Sequence, residues 1–163
     1  MKIRLSPYIV LCALLAFCSQ LDNVYVSKSA TALIPSEAEV VSGNLTIEFP
    51  DLSGFSLIAD TALTIRGISR DQVDRAYLES FSISLTTPGT QDFSFVEQIV
   101  FFIQTHRGAS QPIAWGGPFP SGARTISLDR TSSDLTQYII SDSVTIVVEA
   151  IGRPPAQASM ITA

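Results

Sequence analysis

Cysteine is almost missing from this chain, with only Cys12 and Cys18 in 163 residues. Both lie in the first eighteen positions. Everything downstream therefore lacks a thiol for a disulfide, a thiolate metal site or a cysteine nucleophile. Histidine is rarer still: His106 stands alone. One imidazole and no downstream thiol exclude the usual zinc sets, apart from one built mainly of carboxylates. A Ser–His–Asp site would have to place His106 beside its serine. The nearest elbow-like string, Gly108-Ala109-Ser110-Gln111-Pro112, has no second glycine and ends in proline. His106 is read as a surface or strand-edge residue. No phosphate-cradling glycine loop and no Asp-x-Asp-x-Asp-Gly calcium loop occurs. The expectation is a protein with no catalytic set, no metal and no cofactor.

Positive charge is also scarce. The chain has 10 Lys+Arg against 15 Asp+Glu. Lys2 and Arg4 open the sequence, and removing them leaves 8 against 15, a net charge of −7. Lys28 is then the only lysine. An acidic chain without a basic run excludes nucleic acid as a partner and gives no electrostatic grip on anionic lipid. Charged residues make up 15% of the whole, while serine and threonine are abundant. That balance fits an exported β-rich domain better than a helical enzyme. The paired carboxylates, Asp71 with Asp74, Asp92 with Glu97 and Asp129 with Asp134, all fall in turn-like stretches. There aspartate is ordinary capping chemistry.

The N-terminus is built differently from the rest. Met1-Lys2-Ile3-Arg4 is a short basic start, Leu5 to Phe17 is mostly apolar, and Cys18-Ser19-Gln20 follows. Positive end, short apolar middle and small-residue exit are the layout of an export signal. Leu15-Ala16-Phe17-Cys18 resembles the lipobox of bacterial lipoproteins, with Phe17 where that family carries a small residue. The resemblance implies that Cys18 is acylated and becomes the first residue of the mature chain, anchored to a membrane. Ser19, where an inner-membrane protein of the enterobacterial type carries Asp, implies the outer membrane. Two other readings stay open. One is an ordinary secretory signal cleaved before Ser19, giving a periplasmic or secreted protein. The other is a retained span, although the apolar run is shorter than the ~20 residues that cross a bilayer and contains Pro7.

Residues 1–18 are thus expected to be a signal peptide, 19–37 a small polar tether and 38–163 one domain. The domain reads as all-β. Leu45-Thr46-Ile47-Glu48-Phe49 alternates with period two, as do Phe55 to Arg66 and Arg124 to Asp129. The clearest strands are Tyr77 to Thr86, with Phe81, Ile83 and Leu85 on one face, and Ser143 to Gly152, with Val144, Ile146, Val148 and Ala150 on one face. Ile99 to Ile103 is apolar throughout and predicts a strand buried on both faces. Gln111 to Trp115 is a further short strand candidate. Ser69 to Gln72 has capping-box spacing, Asp92 to Glu97 reads as a tight turn or short helix, and Ser133 to Ile140 as a short helix. Ala158 to Ala163 reads as a last strand, either a short closing strand or one cut short. About seven to nine strands with one or two helical turns predict an antiparallel β-sandwich, with a small closed barrel as the alternative.

The stretch Leu78 to Ile151, through Asp92-Phe93-Ser94-Phe95 and Ser133-Asp134-Leu135, is similar to uncharacterised secreted or lipid-anchored bacterial β-sandwich proteins. This similarity implies fold and location and carries no activity. One stretch remains for binding. Trp115, the only tryptophan, precedes Gly116-Gly117-Pro118-Phe119-Pro120. Trp115 and Phe119 are the candidate ligand-binding residues, for a glycan or a protein. The competing expectation is that Trp115 plugs one end of the sandwich while the loop turns.

Overall fold

The computed structural model describes residues 24–37, 40–41, 44–45, 47–57, 67, 69–108 and 110–163. Residues 1–18, expected to be a signal peptide and including Cys18, lie outside them, as does most of the expected strand from Phe55 to Arg66. The described chain is an all-β sandwich of two antiparallel sheets with only single helical turns between strands.

One sheet has four strands: β1 (Thr31–Ile34), β4 (Ser82–Thr87), β7 (Thr125–Ser127) and β10 (Ser159–Thr162), ordered β1-β10-β4-β7. The other has six: β2 (Val40–Val41), β3 (Asn44–Leu45), β5 (Val96–Thr105), β6 (Ser110–Gly116), β8 (Asp129–Arg130) and β9 (Val144–Gly152), ordered β2-β3-β9-β5-β6-β8. The chain crosses repeatedly from one sheet to the other. At β7 and β8 it does so within one extended run, and buried Leu128 is the crossing residue.

Register explains the core. Ala32, Ile161 and Leu85 lie opposite one another across three strands of the smaller sheet, and Ile83 faces Ile126. In the larger sheet, Ile99 lies opposite Ala150, Phe101 opposite Val148 and Ile103 opposite Ile146. Because side chains alternate across a strand, these rows point into the space between the sheets. The Phe101 ring is fully buried, 4.5 Å from Phe81 and 5.9 Å from Phe49. It ties the centre of the larger sheet to the residue that leads into β4.

Several local expectations hold in detail. Phe93–Phe95 is a 3-10 turn that buries both phenylalanines. Gln72 reaches back to accept a hydrogen bond from the Ser69 N–H at 2.8 Å, as a capping box requires. The short helix α1 (Thr136–Ile139) begins beside Asp134, which accepts from the Thr136 N–H at 2.9 Å.

Two expectations are corrected. The tether of residues 19–37 does not run to the domain edge: β1 lies inside it. Ala30, Ala32 and Ile34 are buried, and β1 forms an antiparallel ladder with β10. Nor is Ile99 to Ile103 buried on both faces. Ile99, Phe101 and Ile103 are buried, while Val100 and Phe102 are only half-buried on the outer face. Nothing among the described elements is layered over that face.

Candidate functional face on the six-stranded sheet

The outer faces of the two sheets differ in chemistry. On the smaller sheet one row reads Thr31, Thr162, Ser84 and Thr125, strand by strand. The Ser84 and Thr125 hydroxyls are hydrogen-bonded at 3.0 Å. A solvated antiparallel sheet is polar on its wet side in this way. Among the described residues, the cross-strand pair Leu33 and Met160 at the β1 edge is its exposed apolar feature.

The outer face of the larger sheet is polar at its ends, where Gln98, Asn44, Gln104 and Thr145 lie, and has an apolar centre. Trp115 lies opposite Val100, Pro112 opposite Phe102, and Phe102 opposite Val147. Ile151 continues the patch along β9. Trp115 and Val147 are each 37% exposed and Ile151 is 41% exposed. A bulge in β6 between its partners Phe101 and Phe102 buries both Ile113 and Ala114 and sends Trp115 outward. Carboxylates accompany the patch. Glu149 sits between Val147 and Ile151 and opposite Val100, and Asp129 lies opposite Trp115. Among the described residues registered on this face there is no lysine or arginine.

The structure separates the two aromatic residues singled out from the sequence. Trp115 does not plug the sandwich; it stands on the outer face. Phe119 turns the other way and packs on the core, 5.8 Å from the buried Phe93 ring. Gly116 makes this possible. A Cβ there would lie 2.7 Å from the Leu128 side chain and 3.2 Å from the Phe119 ring. Trp115 and Phe119 therefore do not form one platform. The residues that extend Trp115 into a surface are Val100, Phe102, Val147 and Ile151, which lie far from it in sequence. A signal for them was present: the unbroken apolar run Val100-Phe101-Phe102 leaves apolar groups on whichever face is outside.

Three of the other carboxylate candidates, Asp71, Asp92 and Asp134, are accounted for locally. Asp92 accepts from the Ser94 N–H at 3.0 Å and the Gly122 N–H at 2.7 Å, tying the Phe93–Phe95 turn to the loop before β7. Hydrogen bonding with Ser94, then with Gly122, lowers its pKa to about 2. Asp134 accepts from Thr136 and Ala76, and those bonds lower its pKa, the Thr136 ones first. Asp71 is held down by the Ser69 hydroxyl and Asp142 by its ion pair with Arg70. These are the duties of turn and capping residues. Asp129 instead lies on the outer face.

His106 is exposed at the β5–β6 turn, on the rim of an open depression of about 300 Å³ lined by Gln104, Thr105, Ser143 and Thr145. Among the described residues its ring makes no hydrogen bond, no group of three His, Cys, Asp or Glu gathers as for a metal, and no helix is long and apolar enough to cross a membrane. No family model, curated protein or solved structure matches the chain.

Proposed function

We propose that this chain is a lipid-anchored, extracytoplasmic protein of a bacterial cell envelope with a non-catalytic interaction role. Its binding surface is the outer face of the six-stranded sheet around Trp115. The anchor rests on Leu15-Ala16-Phe17-Cys18 and the basic start before it. The interaction role rests on one observation: the centre of the larger sheet's outer face gathers Trp115, Val100, Phe102, Pro112 and Val147 around Glu149, a broader apolar cluster than the Leu33–Met160 pair of the smaller sheet. Contiguous exposed apolar area of this kind marks interaction sites. Trp115 supplies the rigid aromatic anchor around which such surfaces are built.

The anchor is tested by mass spectrometry of the mature N-terminus, in wild type and Cys18→Ala, in a bacterial host. A diacylglyceryl mass on Cys18 that vanishes in the mutant is the expected result. A free N-terminus at Ser19 would replace the anchor with secretion. The face is tested by placing a photo-crosslinking residue at Val147 or at Ser84 in living cells. A discrete adduct from Val147 and none from Ser84 is expected. Absence of any adduct at Val147 would remove the face from the proposal.

A further inference from the structure

Resting on that reading, we infer that the face receives a cationic polypeptide segment, one that brings lysine or arginine to Glu149 and apolar side chains to the surface around it. Glu149 is central. On β9 it lies between Val147 and Ile151, and across the ladder it faces Val100. Any occupant that covers the patch also removes water from this carboxylate. A buried carboxylate without a partner is strongly unfavourable, whereas one met by a cation is not.

The source of the cation follows from the register. The described strand residues on this face include Glu149 and Asp129 and no basic group. Arg130 and Arg153 are exposed at the borders of the face, and neither is registered beside Glu149. A second copy of the chain, docked through the same face, would bring a second Glu149 and Asp129 and no centrally placed cation. A neutral apolar surface would leave Glu149 unmatched. A strand-like basic segment satisfies both demands, because its alternating side chains fall at the spacing of the sheet rows. The acidity of the whole chain favours encounter with such a partner.

Trp115 is the only tryptophan and lies in the patch, so the protein carries its own reporter. The domain is titrated with short peptides of alternating Lys and Leu, Glu and Leu, or Ser and Leu, and Trp115 emission is followed. The Lys–Leu peptide should give a saturable shift to shorter wavelength, and the Glu–Leu peptide none. Glu149→Gln should weaken the Lys–Leu peptide about tenfold, as loss of a covered interfacial charge does. Glu37→Gln, an equal charge change on an exposed turn elsewhere, should leave its affinity unchanged. Equal losses in the two variants would mean diffuse attraction and would overturn the inference. So would a flat trace with every peptide, or a shift produced by a neutral oligosaccharide and insensitive to Glu149. Self-association that buries Trp115 without peptide would assign the face to a second copy. Equal affinity for the Ser–Leu peptide would overturn the charge argument alone and leave the face standing. Loss of the Val147 adduct in cells removes the face itself.

Discussion

Adjacent phenylalanines in β5 should behave as opposites. Phe101 and Phe102 are the same residue type in the same central strand, one residue apart. Phe101 is fully buried, with Phe81 4.5 Å away and Phe49 5.9 Å away. Replacing it by alanine removes the ring and leaves a cavity between two sheets that cannot collapse freely. Phe→Ala at such a site costs about 3–5 kcal/mol. In a domain of this size that lowers the melting temperature by on the order of 10 °C. Phe102 points outward against Pro112 and Val147 and is half-buried. Its loss removes cross-strand contacts worth about 1 kcal/mol and opens no enclosed cavity. Urea unfolding followed by far-ultraviolet circular dichroism separates the two. The midpoint should fall steeply for Phe101→Ala and slightly for Phe102→Ala, with similar slopes. Crosslinking from Val147 should show the reverse order, spared by the first substitution and reduced by the second. Equal destabilisation by the two would refute the assignment of an open outer face. A larger effect at Phe102 would invert the register of β5.

Two further outcomes test the loops that bracket the sheet. Gly117→Ala should destabilise the domain by about 2 kcal/mol or more, through left-handed backbone and overpacking. Its φ is +129° and a Cβ would lie 2.1 Å from the Glu97 carbonyl oxygen; a thermal midpoint equal to wild type would contradict that close approach. Asp92 gives a pH dependence of definite sign. Its pKa is lowered from 3.8 to about 2 by Ser94 and Gly122, so its contribution is complete above the unfolded value and is lost as pH falls from about 4 towards 2. Asp92→Asn should flatten stability across that window, and an unchanged acid limb in urea titrations at several pH values would count against the clamp.

Much of the architecture was legible in the alternation of side chains. In β4, polar and apolar residues alternate so regularly that only one face could be buried, and in β9 the row from Val144 to Ala150 is apolar at every second position. Ile83, Leu85, Val144 and Ala150 are indeed in the core. Turn chemistry was equally local: Asp92 and Asp134 act within a few residues of themselves, so their roles needed no knowledge of distant strands. β1 was hidden because Thr31-Ala32-Leu33-Ile34 is short and is followed by Pro35, as a linker strand often is. Only its ladder with β10, at the far end of the sequence, makes it part of the domain.

The sequence by itself determined the class of structure. Period-two patterning, frequent turn residues and the near absence of thiols and imidazoles leave packed antiparallel sheets as the way to bury its apolar groups. It also carries, as a linear pattern, the N-terminal motif on which the proposed anchor rests. Tertiary structure alone decided the face. Ile99 to Ile103 is apolar at every position, so alternation carries no information about which side is covered. That choice depends on whether a second layer lies above the sheet. Among the described residues one side of β5 meets the smaller sheet and the other meets none, and the pairing of β5 with β6 and β9 then gathers Trp115, Val147 and Glu149 around it. Burial is a property of what the chain brings back from far away, and no local pattern contains it.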